Sequence, residues 1–253
     1  MNYMKSVAIK TPIIQAGADI EQVLIDNLPP LAERTVVVIA SKLLSTCQNR
    51  FVSLDVDKTM LVRQEADRYL DESYSQFSLM FTIKNGILTV DAGIDQSNSN
   101  GQYILWPHSL QETCNQVWSF LRTTFKLNQL GLVVTDSKLY PLRTGVTARA
   151  IAHCGFEAII NKIGTPDLFG QMMKMTSINV SEAIAVATQY VMGETNESQP
   201  IGLCTDIPHI VFQDRVPSQT ELDSLIFAPE DDFFLPFFRQ VSWKQGGGGY
   251  HEN

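Results

Sequence analysis

The run Thr35–Ala40, TVVVIA in one-letter code, restricts the fold of this chain more than any other segment. Its residues are β-branched and almost wholly apolar, a pattern typical of a strand that is buried on both faces. The run leads directly into Ser41 and Lys42, so polar side chains begin where the strand is expected to end. A second strand of the buried type is predicted at Leu132–Val134, before another short polar segment.

Helices are predicted between the strands. Apolar residues recur at helical spacing over Ser109–Lys126, and Ser109 with Glu112 forms a capping-box pattern. Another helix is expected over Val180–Met192, with Asn179 as its N-cap. The other predicted elements are a strand at Val7–Lys10, a helix at Ile20–Leu28 and a hairpin over Phe81–Val90 that turns at Asn85 and Gly86. Strands and helices therefore alternate, which indicates a mixed α/β protein.

The composition is that of a globular protein with a substantial core. The chain has 253 residues, of which 44% are hydrophobic and 18% are charged. We interpret residues 1–245 as one domain, either as a single body or as two small lobes. The glycine-rich end, residues 246–253, is predicted to be a flexible tail.

The charge and the cysteines exclude several classes of function. The net charge is −8, so no overall positive field favours nucleic acid or an anionic membrane. No apolar run approaches the roughly 20 residues that span a bilayer, and the first ten residues lack the pattern of a secretory signal. The four cysteines lie far apart without paired spacing, which favours reduced thiols over a disulfide frame or a zinc site. These features predict a cytoplasmic protein that binds neither nucleic acid nor a membrane.

Two predicted strands are each followed by an aspartate among small polar residues. The first of these loops carries Asp95 and Asn98, and the second carries Asp136 and Ser137. Hard cations such as Mg²⁺ and Mn²⁺ take oxygen ligands, one or two of them carboxylates, with phosphates and water completing the shell. Asp, Ser and Asn after a strand are also ordinary turn formers, so either loop alone fits a structural turn. The residues by themselves leave both interpretations open.

Basic residues near these loops are candidates for binding phosphate. Lys42 follows the first buried strand, and Arg143 follows Asp136 in a segment that Pro141 stiffens. A single basic residue here is more often a solvated surface charge, so only the cluster is informative. The sequence lacks the GxxxxGK[ST], GxGxxG and GxSxG motifs of common nucleotide and nucleophile sites. None of its four histidines has a partner at metal-ligand spacing.

Five segments, in order, resemble the coenzyme F-420 gamma-glutamyl ligase family: VVVIASKLLS, DAGIDQSN, GLVVTDSKLYPLRTG, DLFG and INVSEAIAVATQYVMGE. The resemblance covers about residues 5–205. Members of that family use GTP to join glutamate, through its amine, to a carboxylate of a deazaflavin precursor. The resemblance implies mixed sheets with helices in two interleaved lobes. It also implies an intertwined homodimer with the site near the dimer interface.

The resemblance further implies roles for individual residues. Asp95 and Asp136 would bind Mg²⁺ or Mn²⁺, with Ser137 completing the metal site. Lys42 or Arg143 would have the catalytic task of steadying phosphate oxygens while an acyl phosphate forms on the acceptor. The co-substrate would be GTP or ATP. The implied nucleotide contacts are Ser41, Asn98 and the stretch Pro12, Ile13, Ile14 and Gln15.

This sequence departs from the family pattern where cations are expected. Thr46 replaces a second lysine, and Thr205 with Asp206 replaces a common Arg-Gly pair. Charge-assisted contacts contribute about 1.5–3 kcal/mol each, so their loss would weaken the binding of a triphosphate. Three alternatives follow: a folate gamma-glutamyl ligase, as in a bacterial branch that the PLRxGV segment resembles; a homologue that binds metal or nucleotide without ligating; and an enzyme that uses a deazaflavin or pterin as cofactor.

Overall fold

The computed structural model describes residues 3–75, 77–227 and 231–249, in which strands and α-helices are mixed. Its strands are β1 (Lys5–Ile9), β2 (Thr35–Ala40), β3 (Phe51–Ser53), β4 (Arg68–Tyr69), β5 (Phe81–Lys84), β6 (Ile87–Val90), β7 (Gln102–Ile104), β8 (Leu130–Leu139), β9 (Val146–Cys154), β10 (Ile159–Asn161), β11 (Ser177–Asn179), β12 (Ile201–Thr205) and β13 (Lys244–Gln245). Its α-helices are α1 (Ile20–Asn27), α2 (Ser41–Cys47), α3 (Lys58–Glu65), α4 (Leu110–Phe125), α5 (Val180–Met192), α6 (Gln219–Asp223) and α7 (Leu235–Phe238). The prediction of a mixed α/β protein is confirmed.

A five-stranded sheet in the order β1-β12-β2-β8-β9 forms the centre of the fold. Strands β2 and β8 are parallel neighbours, and the other pairs in this sheet are antiparallel. The parallel register places Ala40 opposite Thr135. As a result, the residues that follow these two positions, Ser41 and Asp136, lie side by side at the carboxyl end of the parallel pair.

Helices cover both faces of the five-stranded sheet, which explains the continuous apolar runs of its central strands. On one face, α1, α2 and α4 pack over a core that includes Val37, Leu132 and Trp118. On the other face, α5 packs over a second core that includes Val38 and Val133. Neighbouring residues of β2 and β8 therefore point into different cores, and both strands are buried on both sides.

One end of a predicted helix differs from the structure. The helix expected over Ser109–Lys126 spans Leu110–Phe125, and the capping box predicted for Ser109 does not form. Ser109 has a left-handed backbone with φ 43° and makes no cap with its side chain. An N-cap of this type needs an extended backbone, so the sequence pattern is present without the geometry. The cap predicted at the other helix is confirmed, since Asn179 Oδ1 accepts the Glu182 N–H at 3.0 Å.

A four-stranded sheet in the order β13-β4-β5-β6 lies beside the five-stranded one. It packs with α3 around a smaller core that includes Val62, Met80 and Leu105. The predicted hairpin is confirmed as the β5–β6 turn, where Asn85 and Gly86 have φ values of 51° and 71°. Positive φ at both central residues is the signature of a two-residue turn that matches strand twist.

The first half of the expected flexible tail has a defined place in the structure. Gly246–Gly249 donate four backbone hydrogen bonds of 2.8–2.9 Å to carbonyls of the segment 63–67. Ahead of them, β13 pairs with β4. Residues 250–253 lie outside the described residues. The sequence does not predict this strap, because a run of glycines has the composition of a flexible linker.

The cysteine prediction is confirmed, since all four cysteines are free. Burial raises the pKa of Cys47 to about 11 and that of Cys154 to about 12, so both thiols are protonated at neutral pH. Within the described ranges, every helix is too short or too polar to cross a bilayer.

Candidate functional site

A cleft of about 860 Å³ opens where the parallel pairing of β2 with β8 ends. Ser41 and Asp136 directly follow the last paired residues, and three other parts of the chain contribute to the wall. These parts are the N-terminal stretch 11–16, the loop residues 98–100 and the segment 193–200 that follows α5. The cleft thus collects residues that are far apart in the sequence at the carboxyl end of a rigid sheet, which is where ligands bind in α/β folds.

Asp136 is held by the sheet and not by a loop. The predicted strand Leu132–Val134 continues to Leu139 as β8, because pairing with β9 resumes after an irregularity at Val134 and Thr135. The Oδ1 atom of Asp136 accepts the Ser41 hydroxyl at 2.9 Å, and its Oδ2 atom accepts the indole N–H of Trp106 at 2.9 Å. Burial raises the pKa of Asp136, and these two donors oppose that rise.

Asp95 is held by a loop and is more exposed, with 44% of its side chain accessible. The ammonium of Lys42 forms an ion pair with Oδ2 of Asp95 and donates to the Ser97 hydroxyl at 2.7 Å. The backbone N–H of Ser97 donates to Oδ1 of Asp95 at 2.9 Å. Burial alone would raise the pKa of Asp95, but Lys42 and Ser97 lower it to about 2. Asp95 is therefore anionic across the physiological range.

Two adjacent residues connect the predicted aspartates. Ser41 binds Asp136, and its neighbour Lys42 binds Asp95. The structure therefore brings both predicted loops to the same short segment at the start of α2. Separately, Asp95 fits a structural turn and Asp136 fits an ordinary strand position, but a shared position beside an open cleft is typical of a ligand site.

Glu194 is a site residue that sequence reasoning missed. It lines the cleft, and its Oε2 atom accepts the hydroxyl of Ser137 at 2.7 Å. Gln189 Nε2 donates to the other oxygen of Glu194 at 3.3 Å, while the buried Oε1 atom of Gln189 has no partner. The only signal in the sequence was an acid directly after Gly193, the glycine that ends α5. The contact with Ser137 requires the tertiary fold.

All six residues predicted to contact the nucleotide line the cleft. Pro12–Gln15 form part of its wall, together with Ser41, Lys42 and Asn98. The side-chain amide of Asn98 donates to the carbonyl of Thr195 at 2.8 Å, which ties the 98–100 loop to the segment after α5. Thr46, which replaces an expected lysine, also lines the cleft.

Arg143 is not brought to the cleft. It lies in the exposed connection between β8 and β9, and it is absent from the residues that line the cavity. Arg149, by contrast, is a buried cation that pairs in register with Asp136 across the two strands. Its Nη1 atom donates to the Leu88 carbonyl at 2.7 Å, and its charge lowers the pKa of Asp136. A charged residue within the apolar strand β9 was the sequence signal for it.

The donor set fits a hard divalent cation that shares its shell with other ligands. Asp95 and Asp136 supply carboxylate oxygens, and Ser137 supplies a hydroxyl. Within residues 3–75, 77–227 and 231–249, no three His, Cys, Asp or Glu side chains form a group that could enclose a metal by themselves. Mg²⁺ is usually bound by one or two carboxylates together with phosphates and water, and not by a complete protein cage. The residues present therefore match a metal that arrives with a phosphate-bearing substrate.

Comparison with known proteins identifies the same group as the five sequence segments. The model of the family described as F420-0:Gamma-glutamyl ligase matches residues 8–205. A coenzyme F420:L-glutamate ligase of Methanococcus maripaludis is 24% identical over 91% of this chain and 97% of the relative. One from Methanopyrus kandleri is 23% identical over 87% of this chain and 93% of the relative. One from Methanocaldococcus jannaschii is 24% identical over 77% and 84%. The resemblance drawn from the sequence is confirmed.

Proposed function

Because the chain belongs to the F420-0:gamma-glutamyl ligase family, we propose that it joins L-glutamate to the carboxylate of a deazaflavin cofactor precursor with consumption of GTP. The observation that carries this proposal is the meeting of Asp136 and Asp95 on the adjacent residues Ser41 and Lys42. This arrangement places Asp136 and Lys42 on the wall of a cleft of about 860 Å³, with Asp95 paired to Lys42 and not itself among the lining residues. The cleft is large enough for a nucleotide and a second substrate.

In the proposed reaction, an oxygen of the acceptor carboxylate attacks the γ-phosphorus of the nucleotide, and the nucleoside diphosphate leaves. The amine of glutamate then attacks the carbonyl carbon of the acyl phosphate, loses a proton and displaces inorganic phosphate. Transfer of a phosphoryl group between anions depends on alignment and charge neutralisation more than on a protein nucleophile. The absence of a nucleophile motif from the sequence is consistent with that chemistry.

The residues of the cleft divide this work between them. Lys42 supplies a positive charge at the cleft wall for phosphate oxygens. The Pro12–Gln15 stretch and Asn98 form the part of the wall that contacts the nucleotide. Arg143 serves phosphate only if its exposed loop closes over a site. Asp95, Asp136 and Ser137 would hold Mg²⁺ or Mn²⁺, which would supply charge neutralisation to the phosphates. A metal at Asp95 would have to compete with the ion pair that Lys42 forms with this carboxylate.

The acceptor is the least constrained part of the proposal. The relatives are named for coenzyme F420, which favours a deazaflavin precursor. Folate is the second candidate, favoured by the PLRxGV segment, whereas the departures at Thr46 and Thr205 favour a homologue that has lost ligation. Both acceptors end in a carboxylate, so the chemistry is shared and the cleft selects between them.

Purified protein incubated with radiolabelled glutamate, Mn²⁺, GTP or ATP and each acceptor tests the proposal. We expect labelled product with the deazaflavin precursor and GTP, and none without nucleotide or metal. Product with folate alone would move the assignment to the second candidate. Bound nucleotide without product in any mixture would identify a homologue that has lost ligation. A chromophore that copurifies with the chain would point to an enzyme that uses a deazaflavin or pterin as cofactor.

We further propose that the chain forms a homodimer through the arm formed by residues 159–179. Outside its two strands, this arm exposes large apolar side chains: Leu168 is 98%, Phe169 91% and Met175 84% accessible. Clustered apolar side chains of this size are typical of an association surface. Analytical ultracentrifugation should give the mass of two chains for the wild type and of one chain after Leu168→Asp with Phe169→Asp. A monomeric wild type would contradict the proposal.

A further inference from the structure

The C-terminal glycine run contacts α3 at the end that bears Glu65. A helix leaves its last carbonyls without partners inside the helix. The strap Gly246–Gly249 satisfies two of these, since Gly247 donates to the Arg63 carbonyl and Gly249 to the Gln64 carbonyl, both at 2.9 Å. It therefore caps α3 from a distant part of the chain.

Glycine is required for this approach. A Cβ atom added at Gly246 would lie 2.1 Å from the Ala66 carbonyl oxygen, and one at Gly247 would lie 2.4 Å from that of Gln64. Real Cβ atoms do not approach backbone oxygens so closely. Gly246 and Gly247 are thus closely fitted, whereas Gly248 and Gly249 have room for a Cβ but positive φ values of 74° and 84°. The ion pair of Lys244 with Asp71 anchors the start of the segment.

Glu65, the last residue of α3, belongs to a buried ion network. It is 2% exposed and pairs with Lys84, and both of its carboxylate oxygens accept from the single Nη2 atom of Arg50 at 3.1 Å. Burial alone would raise the pKa of Glu65, but Lys84 and Arg50 hold it below its ordinary value. A buried charge with partners on both sides fixes geometry, because removal of one partner leaves another charge uncompensated.

The network leads to the site through Arg50. The Nε atom of Arg50 donates to the carbonyl of Trp106 at 3.0 Å, and the indole N–H of Trp106 donates to Oδ2 of Asp136 at 2.9 Å. The indole is also confined by Gly93, where an added Cβ would lie 2.2 Å from its nitrogen. A continuous series of contacts therefore runs from the strap, through Glu65 and Arg50, to Asp136.

We propose that the strap, Glu65 and Arg50 position the indole of Trp106 against Asp136, so that the C-terminal glycines set the geometry of the carboxylate in the cleft. The proposal rests on the proposed function only for the role of Asp136. Partners that orient a metal-binding carboxylate typically contribute about 10- to 100-fold to activity or metal affinity. Loss of the strap should accordingly lower kcat about tenfold and leave the KM for nucleotide unchanged within about twofold.

The direct test is the indole N–H signal of Trp106 in NMR spectra of the full chain, assigned with Trp106→Phe. The variants are a chain truncated after Gln245 and the substitution Gly247→Ala. Ser242→Ala, at an exposed position just ahead of the strap, is the control. Trp118, whose indole donates to the Leu130 carbonyl in the main core, is the internal reference.

We expect both variants to shift the Trp106 signal and to speed its exchange with water about tenfold, with Trp118 and the control unchanged. Arg50→Met should reproduce the shift with the strap intact. An unchanged Trp106 signal in both strap variants would overturn the proposal, and so would an equal change at Trp118. If the truncated chain does not fold, Gly247→Ala decides. Absence of ligation by the full chain would contradict the proposed function and would leave the indole result valid.

Discussion

The two aspartates of the site are the same residue type in opposite surroundings. Asp136 is fixed in strand β8, where burial raises its pKa. Asp95 lies in a loop, where Lys42 and Ser97 lower its pKa to about 2. In the proposed metal site, a cation would add positive charge beside Asp136, which already has Ser41, Trp106 and Arg149 as partners, and would compete with Lys42 at Asp95. The strand would thus supply a rigid ligand, and the loop would supply an adjustable one.

The largest expected effect is at the rigid ligand. Asp136→Asn removes the buried carboxylate but keeps its size, and we expect ligation to fall about 100-fold or more, as for loss of a preorganised charged group. Steady-state turnover of labelled glutamate measures this. Asp26→Asn, at an exposed position on α1, is the control and should be neutral. Turnover equal to the wild type would remove Asp136 from the mechanism.

The adjustable ligand should matter less. Asp95→Asn removes one charge-assisted contact worth about 1.5–3 kcal/mol, so activity should fall about tenfold.

The same substitution tests whether the carboxyl group of Asp95 is ionised in the folded protein. The folded-state pKa is below the ordinary 3.8, so ionised Asp95 stabilises the fold above pH 3.8, and this contribution is lost as the pH falls through about 2. Acid unfolding followed by circular dichroism should begin at higher pH in the variant. Superimposable acid transitions would contradict the ion pair with Lys42.

The identity of the two aspartates could be predicted from the sequence, but the tertiary contacts that hold each of them could not. The apolar run Thr35–Ala40 predicted a central strand, and the aspartates were identified by their small polar neighbours. Whether Asp136 lies in a loop or a strand depends on its pairing with Arg149 of β9, which no local pattern encodes. The contact of Ser137 with Glu194 likewise joins residues 57 positions apart.

The strap illustrates the same limit. Glycine composition predicts freedom, whereas a side chain at Gly246 or Gly247 would collide with the backbone of the segment 63–66, and Gly248 and Gly249 have positive φ values. In the same way, Ser109 and Glu112 match the capping pattern, but the left-handed backbone of Ser109 prevents the cap. Patterns of residue type were reliable where burial decides the structure and failed where a backbone conformation decides it.

Arg143 provides a comparison with the two aspartates, because it lies outside the cleft lining. Arg143→Ala should raise the KM for nucleotide by less than about tenfold, since an exposed charge contributes little in water. Metal affinity should stay at the wild-type value. Arg239→Ala, another exposed arginine, is the control. A large fall in kcat would instead show that the β8–β9 connection closes over a site during turnover.

The smallest expected effect on activity, and a clear effect on stability, is at His153. Burial lowers the pKa of this histidine to about 4, so below its ordinary value of 6.5 the unfolded chain takes up a proton that the fold does not. Its contribution to stability is complete above pH 6.5 and is lost as the pH falls towards 4, at about 1.4 kcal/mol per pH unit. Urea unfolding of wild type and His153→Gln at several pH values should show a shallower slope for the variant. His209→Asn, at an exposed position, should keep the wild-type slope.

The central claim is that Asp95 and Asp136 hold one cation between them. Mn²⁺ affinity in the presence of GTP, measured by calorimetry for the wild type, Asp95→Asn, Asp136→Asn and the double variant, tests it directly. We expect each single variant to lose most of the affinity and the double variant to lose little more, because the two carboxylates act on the same ion. Additive losses, or a single variant that binds Mn²⁺ as the wild type does, would contradict the shared site.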